Sequence, residues 1–149
     1  MNQYLNFQKK FKMPKEKRLK KFGRINGLSI QFMPYSEIRN LDSTKRIKKI
    51  LNVVLSNNIL IIQGKLKVEE ESRLIGDTMA IIGHVKNFKG IELAVISENE
   101  NKGIWNKIKN SLVKILSKGE LGAITIIGPA TIVKEIKRNP KKIELLLNK

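Results

Sequence analysis

Leu28, Ile30 and Phe32 alternate with Ser29 and Gln31, and Pro34 closes the run. A period of two marks a strand with one buried face. The period changes behind Asp42-Ser43-Thr44, which offers an N-cap. Ile47, Ile50, Leu51, Val54 and Leu55 fall on one helical face, with Lys45, Arg46, Lys48 and Lys49 largely on the others. Asn57-Asn58 stops this helix. Ile59-Leu60-Ile61-Ile62 is a continuous apolar run ending at Gly64, the pattern of a central strand buried on both faces. Glu69, Glu70 and Glu71 open a second helix, with Leu74, Ile75, Thr78, Met79 and Ile82 as its inner face and Gly83 as its stop.

Gly90 to Ile96 reads as a third strand. Lys102 to Lys118 predicts a third helix, striped by Ile104, Ile108, Leu112 and Ile115, with Lys107, Lys114 and Lys118 sharing another face. Ala123 to Ile127 is a fourth strand. Gly128-Pro129-Ala130 turns it into a helix containing Ile132, Val133 and Ile136, broken before Pro140. Lys141 to Leu147 fits a short helix and a strand equally. Strand and helix alternate four times. The expected fold is α/β, a single small sheet of about four strands covered by helices. The pattern shows no repeat and no second domain.

The first 26 residues break the pattern. They hold Lys9, Lys10, Lys12, Lys15, Lys17, Arg18, Lys20, Lys21 and Arg24 against Glu16 alone, a net charge of +8. Tyr4, Phe7, Phe11 and Phe22 are threaded among them. Without apolar periodicity such a segment cannot repay its ordering entropy by burial. The expectation is a basic, extended tail over residues 1–26 that orders on a polyanion, ahead of one α/β domain over 27–149. Aromatic rings among cations suit unstacked bases.

The whole chain of 149 residues carries +17, so the body is basic in its own right. That sign and size of charge is the usual footprint of a nucleic-acid partner. An AT-rich genome would favour Lys over Arg, but it does not explain the scarcity of acids. With no cysteine, disulfides and thiolate metal sites are excluded, and His84 is the single histidine. No apolar run approaches a membrane span, and no apolar segment with a cleavage site follows the basic tail. The expectation is a cytoplasmic protein without a membrane partner, cofactor or metal.

Candidate chemistry is sparse. Neither Gly-rich phosphate signature is present. Gly128-Pro129-Ala130 reads as a tight turn rather than a phosphate cradle, because Pro129 removes a donor. Glu69, Glu70 and Glu71 point three ways on a helix and suit its positive end better than a shared ion. Glu70 has Arg73 as one possible partner. His84 follows a helix stop, with no nucleophile or orienting carboxylate placed beside it. Trp105 lies beside the apolar stripe of the third helix and reads as a border residue packed on the body, with a nucleobase platform as the alternative. The sequence assigns no catalytic residue.

Five segments together resemble a known family. They are Lys45-Arg46-Ile47-Lys48-Lys49-Ile50-Leu51, Glu69-Glu70-Glu71-Ser72-Arg73-Leu74-Ile75, Thr78-Met79, Phe88-Lys89-Gly90-Ile91-Glu92-Leu93 and Thr125-Ile126-Ile127-Gly128-Pro129-Ala130. In this order they resemble the archaeal family called domain of unknown function 2073, over about residues 27–147. The resemblance implies an archaeal cytoplasmic protein and carries no catalytic residue. It also implies genes beside an Era-like GTPase and a zinc-ribbon protein, and so a setting in translation or ribosome assembly.

These readings converge on a non-enzymatic RNA-binding protein of the ribosome or its precursors. The tail's cations, with Phe7 and Phe11, would contact ribosomal RNA. Lys45, Arg46, Lys48, Lys49, Lys107, Lys114 and Lys118 would dock the body. The alternative is a protein-interaction module or regulator of an Era-like GTPase, without RNA specificity of its own.

Overall fold

The computed structural model describes residues 21–25, 28–56, 58–85, 88–100, 102–103, 105–106 and 122–142. Five strands form one sheet: β1 (Lys21–Ile25), β2 (Leu28–Met33), β3 (Asn58–Gln63), β4 (Ile91–Ser97) and β5 (Ala123–Pro129). Their spatial order is β1-β2-β3-β5-β4. Strands β2 and β3 run parallel, with Ile30 beside Ile59 and Phe32 beside Ile61. Strand β5 is antiparallel to both β3 and β4. All four expected strands are present, and β1 joins them as a fifth. It pairs antiparallel with β2, from Lys21 opposite Gln31 to Ile25 opposite Leu28. Lys21 and Arg24, expected in an extended tail, therefore belong to a strand of the sheet. The ladder with β2 supplies partners for backbone groups that a tail would leave to water.

Three helices have full bounds: α1 (Ser43–Val54), α2 (Val68–Ile81) and α3 (Ala130–Arg138). Lys102, Gly103, Trp105 and Asn106 are also helical. The rest of the expected third helix lies outside the described residues, as do residues 143–147. Side chains alternate across the sheet, so each strand feeds two cores. Leu60, Ile62 and Ile127 meet Ile47, Ile50, Leu51 and Val54 of α1 and Leu74 of α2. On the opposite face Ile59, Ile61, Ile124 and Ile126 meet Trp105 and Val133 and Ile136 of α3. The result is three layers, α/β/α, in which β3 and β5 are covered on both sides.

Local chemistry explains the boundaries. The Asp42 carboxylate accepts from the Lys45 N–H at 2.9 Å, which caps α1. After the helix ends, Asn58 donates its side-chain amide to the Val53 carbonyl at 3.1 Å while it opens β3. Gly64 takes φ 101° to leave that strand. Gly128 has another reason to be glycine. A Cβ there would lie 3.2 Å from Ile59 Cγ1 and 3.3 Å from Ile59 Cα, so a side chain at this position would press β5 against β3 more tightly than almost all real contacts.

Trp105 packs on the body as expected, and more deeply than a border residue: it is a member of the core, 6% exposed, which removes the alternative of a nucleobase platform. The inner face of the second helix differs from its expectation. The inner face of α2 is Glu70, Leu74, Thr78 and Ile81, whereas Ile75, Met79 and Ile82 are exposed. The helix is rotated from its apolar stripe because Glu70 is drawn inward by partners on α1 and on the α2 entry loop.

Candidate nucleic-acid interface

Strands β2 and β3 run side by side into the loops that start α1 and α2. Both helices thus begin at one end of the molecule. The Tyr35 N–H donates to Gln63 Oε1 at 3.1 Å, which ties the ends of the two strands together. The two helix starts are latched by Glu70. Its carboxylate is 2% exposed and accepts from Ser43 Oγ at 2.8 Å, Arg46 NH1 at 3.0 Å and the Lys67 N–H at 3.1 Å. Arg46 NH2 donates to the carbonyls of Ile38 at 3.1 Å and Leu41 at 3.3 Å. Arg73 NH1 adds a bond to Thr44 Oγ1 at 3.0 Å.

Burial alone would raise the Glu70 carboxyl above its ordinary range. The donors from Ser43, Lys67 and Arg46 outweigh that and hold it below. Asp42 is also lowered, first by the Lys45 N–H and then by the Lys45 side chain. Glu135 is lowered by Lys142 and Arg138.

Around this latch stand exposed Tyr35, Arg39, Lys45, Lys48, Lys65 and Lys67. Lys45 pairs with Asp42 at 3.2 Å, and Lys49 with Glu37 at 2.9 Å. Arg39, Lys48, Lys65 and Lys67 have no ion pair among the described residues. The positive ends of two helix dipoles add to the same potential. Glu69 and Glu71 at the first turn of α2 are the opposing acids. Such an end can hold phosphate oxygens on mobile lysines and can offer Tyr35, 41% exposed, to an unstacked base.

The expected site residues divide accordingly. Lys45, Lys48 and Lys49 are on α1 near this end, Lys48 without a partner among the described residues. Arg46 is engaged inside the protein by Glu70, Ile38 and Leu41, so it serves the fold and not a surface. Its buried partner explains why Glu70 does not take Arg73, which reaches Asp77 at 3.9 Å instead. Lys9, Lys10, Lys12, Lys15, Lys17, Arg18, Lys20, Phe7, Phe11, Lys107, Lys114 and Lys118 lie outside the described residues. Tyr35, Arg39, Lys65 and Lys67 were not singled out by sequence, because they flank strand and helix ends that only the parallel pairing brings together.

A second group of cations sits on α3 and just past its end, beneath the opposite face of the sheet. Lys134, Lys137, Arg138 and Lys141 are exposed. Lys137 pairs with Glu92 at 2.6 Å, and Glu135 holds Arg138 and Lys142. The turn before α3 is not a phosphate cradle, because the Ala130 N–H donates to the Gly90 carbonyl at 3.2 Å. His84 is exposed in the turn after α2. Among the described residues, no group of three or more His, Cys, Asp or Glu is placed to hold a metal ion. No helix there is long and apolar enough to cross a membrane.

Fold and surface thus define a small three-layer α/β protein with a cation-rich end. Residues 38–148 match the family model described as Origin-associated protein OapB. The match spans well over half of the chain, and the protein belongs to that family. This corrects the resemblance read from the sequence, which named domain of unknown function 2073. The gene-neighbour association with an Era-like GTPase came with that resemblance. No curated protein and no solved structure matches the chain.

Proposed function

We propose that this protein binds nucleic acid through its basic surface, and that its target is RNA of the ribosome or its precursors. One observation carries the reading. The chain holds a charge of +17, while Glu37, Asp42, Glu70, Glu92 and Glu135 are already paired within the body. Arg39, Lys48, Lys65, Lys67, Lys134 and Lys141 are left without an ion pair among the described residues. Those cations, with the basic residues before β1, are what a phosphate backbone would neutralise. Tyr35 beside them favours a strand with unstacked bases.

The family description, origin-associated, supports a second reading in which the polyanion is DNA. The protein-interaction alternative has support of its own in the exposed apolar side chains of α2.

Fluorescence anisotropy with a labelled ribosomal RNA fragment and a duplex DNA of equal length separates these readings. Affinity for RNA should exceed that for DNA and should fall linearly with salt on a log–log plot, at about 0.9 or less per phosphate contact. Tighter binding to the duplex selects the second reading. Absence of binding at low salt refutes both.

A further inference from the structure

We propose that two copies of this chain associate through β4 and the adjoining flank of α2, forming a continuous sheet across a two-fold axis. Strand β4 is the last in the sheet order, so its outer edge pairs with no described strand. An open edge is a template for a second chain unless lysine, proline or a bulge guards it. The opposite edge is guarded. Strand β1 reads Lys-Phe-Gly-Arg-Ile and has a register shift between Lys21 and Arg24. Strand β4 reads Ile-Glu-Leu-Ala-Val-Ile-Ser, with no Lys, Arg or Pro, and its one acid is held by Lys137.

The helix beside it carries an apolar stripe on the matching flank, with half-buried Glu71 at its inner border. Val68, Ser72, Ile75, Met79 and Ile82 follow one another at alternating steps of four and three. Val68, Ile75, Met79 and Ile82 are 74%, 41%, 65% and 43% exposed. Inward-facing Leu74 fixes the direction of the core. About 100° per residue then puts Arg73 and Asp77 on the other flank, where Arg73 bonds Thr44 of α1. The apolar flank therefore turns away from α1. Val95, 37% exposed, and half-buried Ile91 and Leu93 lie on the α2 side of β4. In a chain with 29% charged residues, this apolar step between a helix flank and an open strand is the exception.

Charge selects a second copy as the occupant. Antiparallel pairing of β4 with itself about Ala94 brings exposed Lys89 of one copy to exposed Glu98 and Glu100 of the other, and the axis repeats the contact. A two-fold operation also sets one α2 flank against its equal, so each apolar stripe covers the other. Elsewhere, two copies at +17 would repel. The flank contributes Val68, Ser72, Ile75, Met79 and Ile82 beside the seven residues of β4, fewer than the roughly 20–30 residues per side of a standard stable interface, which sets the expected association in the micromolar range and above.

Sedimentation of the full chain, free of nucleic acid, tests the proposal. The expected result is a dimer at ~100 μM, held as well or better when salt is raised, since salt screens the repulsion between like-charged copies. Val95→Lys and Met79→Lys, both at exposed positions, should each weaken association at least about tenfold, equivalent to ~1.4 kcal/mol, with circular dichroism unchanged. Lys89→Glu should weaken it, and Lys89→Glu with Glu98→Lys and Glu100→Lys should restore it. A monomer at this concentration overturns the proposal, as does a dimer indifferent to both lysine substitutions. The opposite salt dependence separates this result from nucleic-acid binding, which salt weakens.

Discussion

Glu70 is the residue on which the layer of α1 and α2 depends. Its carboxylate takes three kinds of donor from Ser43, Arg46 and Lys67, and it is almost wholly out of water. Removing it by Glu70→Ala leaves Arg46 largely buried without its counter-charge. The expected loss is about 3–5 kcal/mol, read from urea unfolding. Ser43→Ala removes one neutral donor to the same carboxylate and should cost about 1–3 kcal/mol. The pH dependence follows from the lowered Glu70 carboxyl. Its contribution is fully present above the unfolded value near 4.5 and is lost as pH falls through the lower folded value. Thermal unfolding between pH 6 and pH 3 should show this loss, and Glu70→Gln should flatten it. Gly128 makes the second residue-scale demand. Gly128→Ala drives a methyl against the Ile59 backbone and should cost about 1–3 kcal/mol, with β3 and β5 forced apart.

The elements differ in how openly the sequence declares them. Helix α1 was legible because its apolar stripe and its cap agree: Asp42 caps it, and Ile47, Ile50, Leu51 and Val54 are its buried side. Strands β3 and β5 were legible as short apolar runs between turn residues. The sequence marks helix α2 but not its rotation. Periodicity placed Ile75, Met79 and Ile82 inside, whereas a charged residue, Glu70, sets the inward direction through partners 24 and 27 positions away. No local pattern contains that information. Strand β1 is hidden in the sequence because its Lys and Arg continue a longer basic run. Its sequence signal was Asn26-Gly27 between two candidate strand runs. At this scale the binding account makes its own prediction. Lys48→Glu and Lys65→Glu should each lower RNA affinity by several-fold and reduce the salt slope by about one, without changing the melting temperature. Arg46→Glu should do the reverse, lowering the melting temperature through the latch.

For the whole molecule, the controlling quantity is the distribution of charge. Among the described residues the three layers bury most of the Ile, Leu and Val, and Glu37, Asp42, Glu70, Asp77, Glu92 and Glu135 are paired with neighbouring bases. Among the described residues, unpaired cations lie at the shared start of α1 and α2 and on and just after α3, and the sequence before β1 carries seven more basic residues against one acid. Composition announced the surplus but could not locate it. Location depends on the parallel pairing of β2 with β3, which sets Tyr35 and Arg39 beside Lys65 and Lys67. Among the described residues the same inventory leaves a largely apolar region on α2 and β4. The proposed polyanion binding and the proposed self-association thus fall on different surfaces, and salt should act on them with opposite sign.

The measurement that tests the central claim most directly is the salt dependence of RNA affinity for the full chain and for a chain lacking residues 1–20. The account predicts a steep linear fall of log affinity with log salt for the full chain. The shortened chain, which keeps β1, should bind more weakly with a shallower but nonzero slope, because the cationic end of the body remains. Affinity that does not change with salt, or that is the same in both chains, would contradict it.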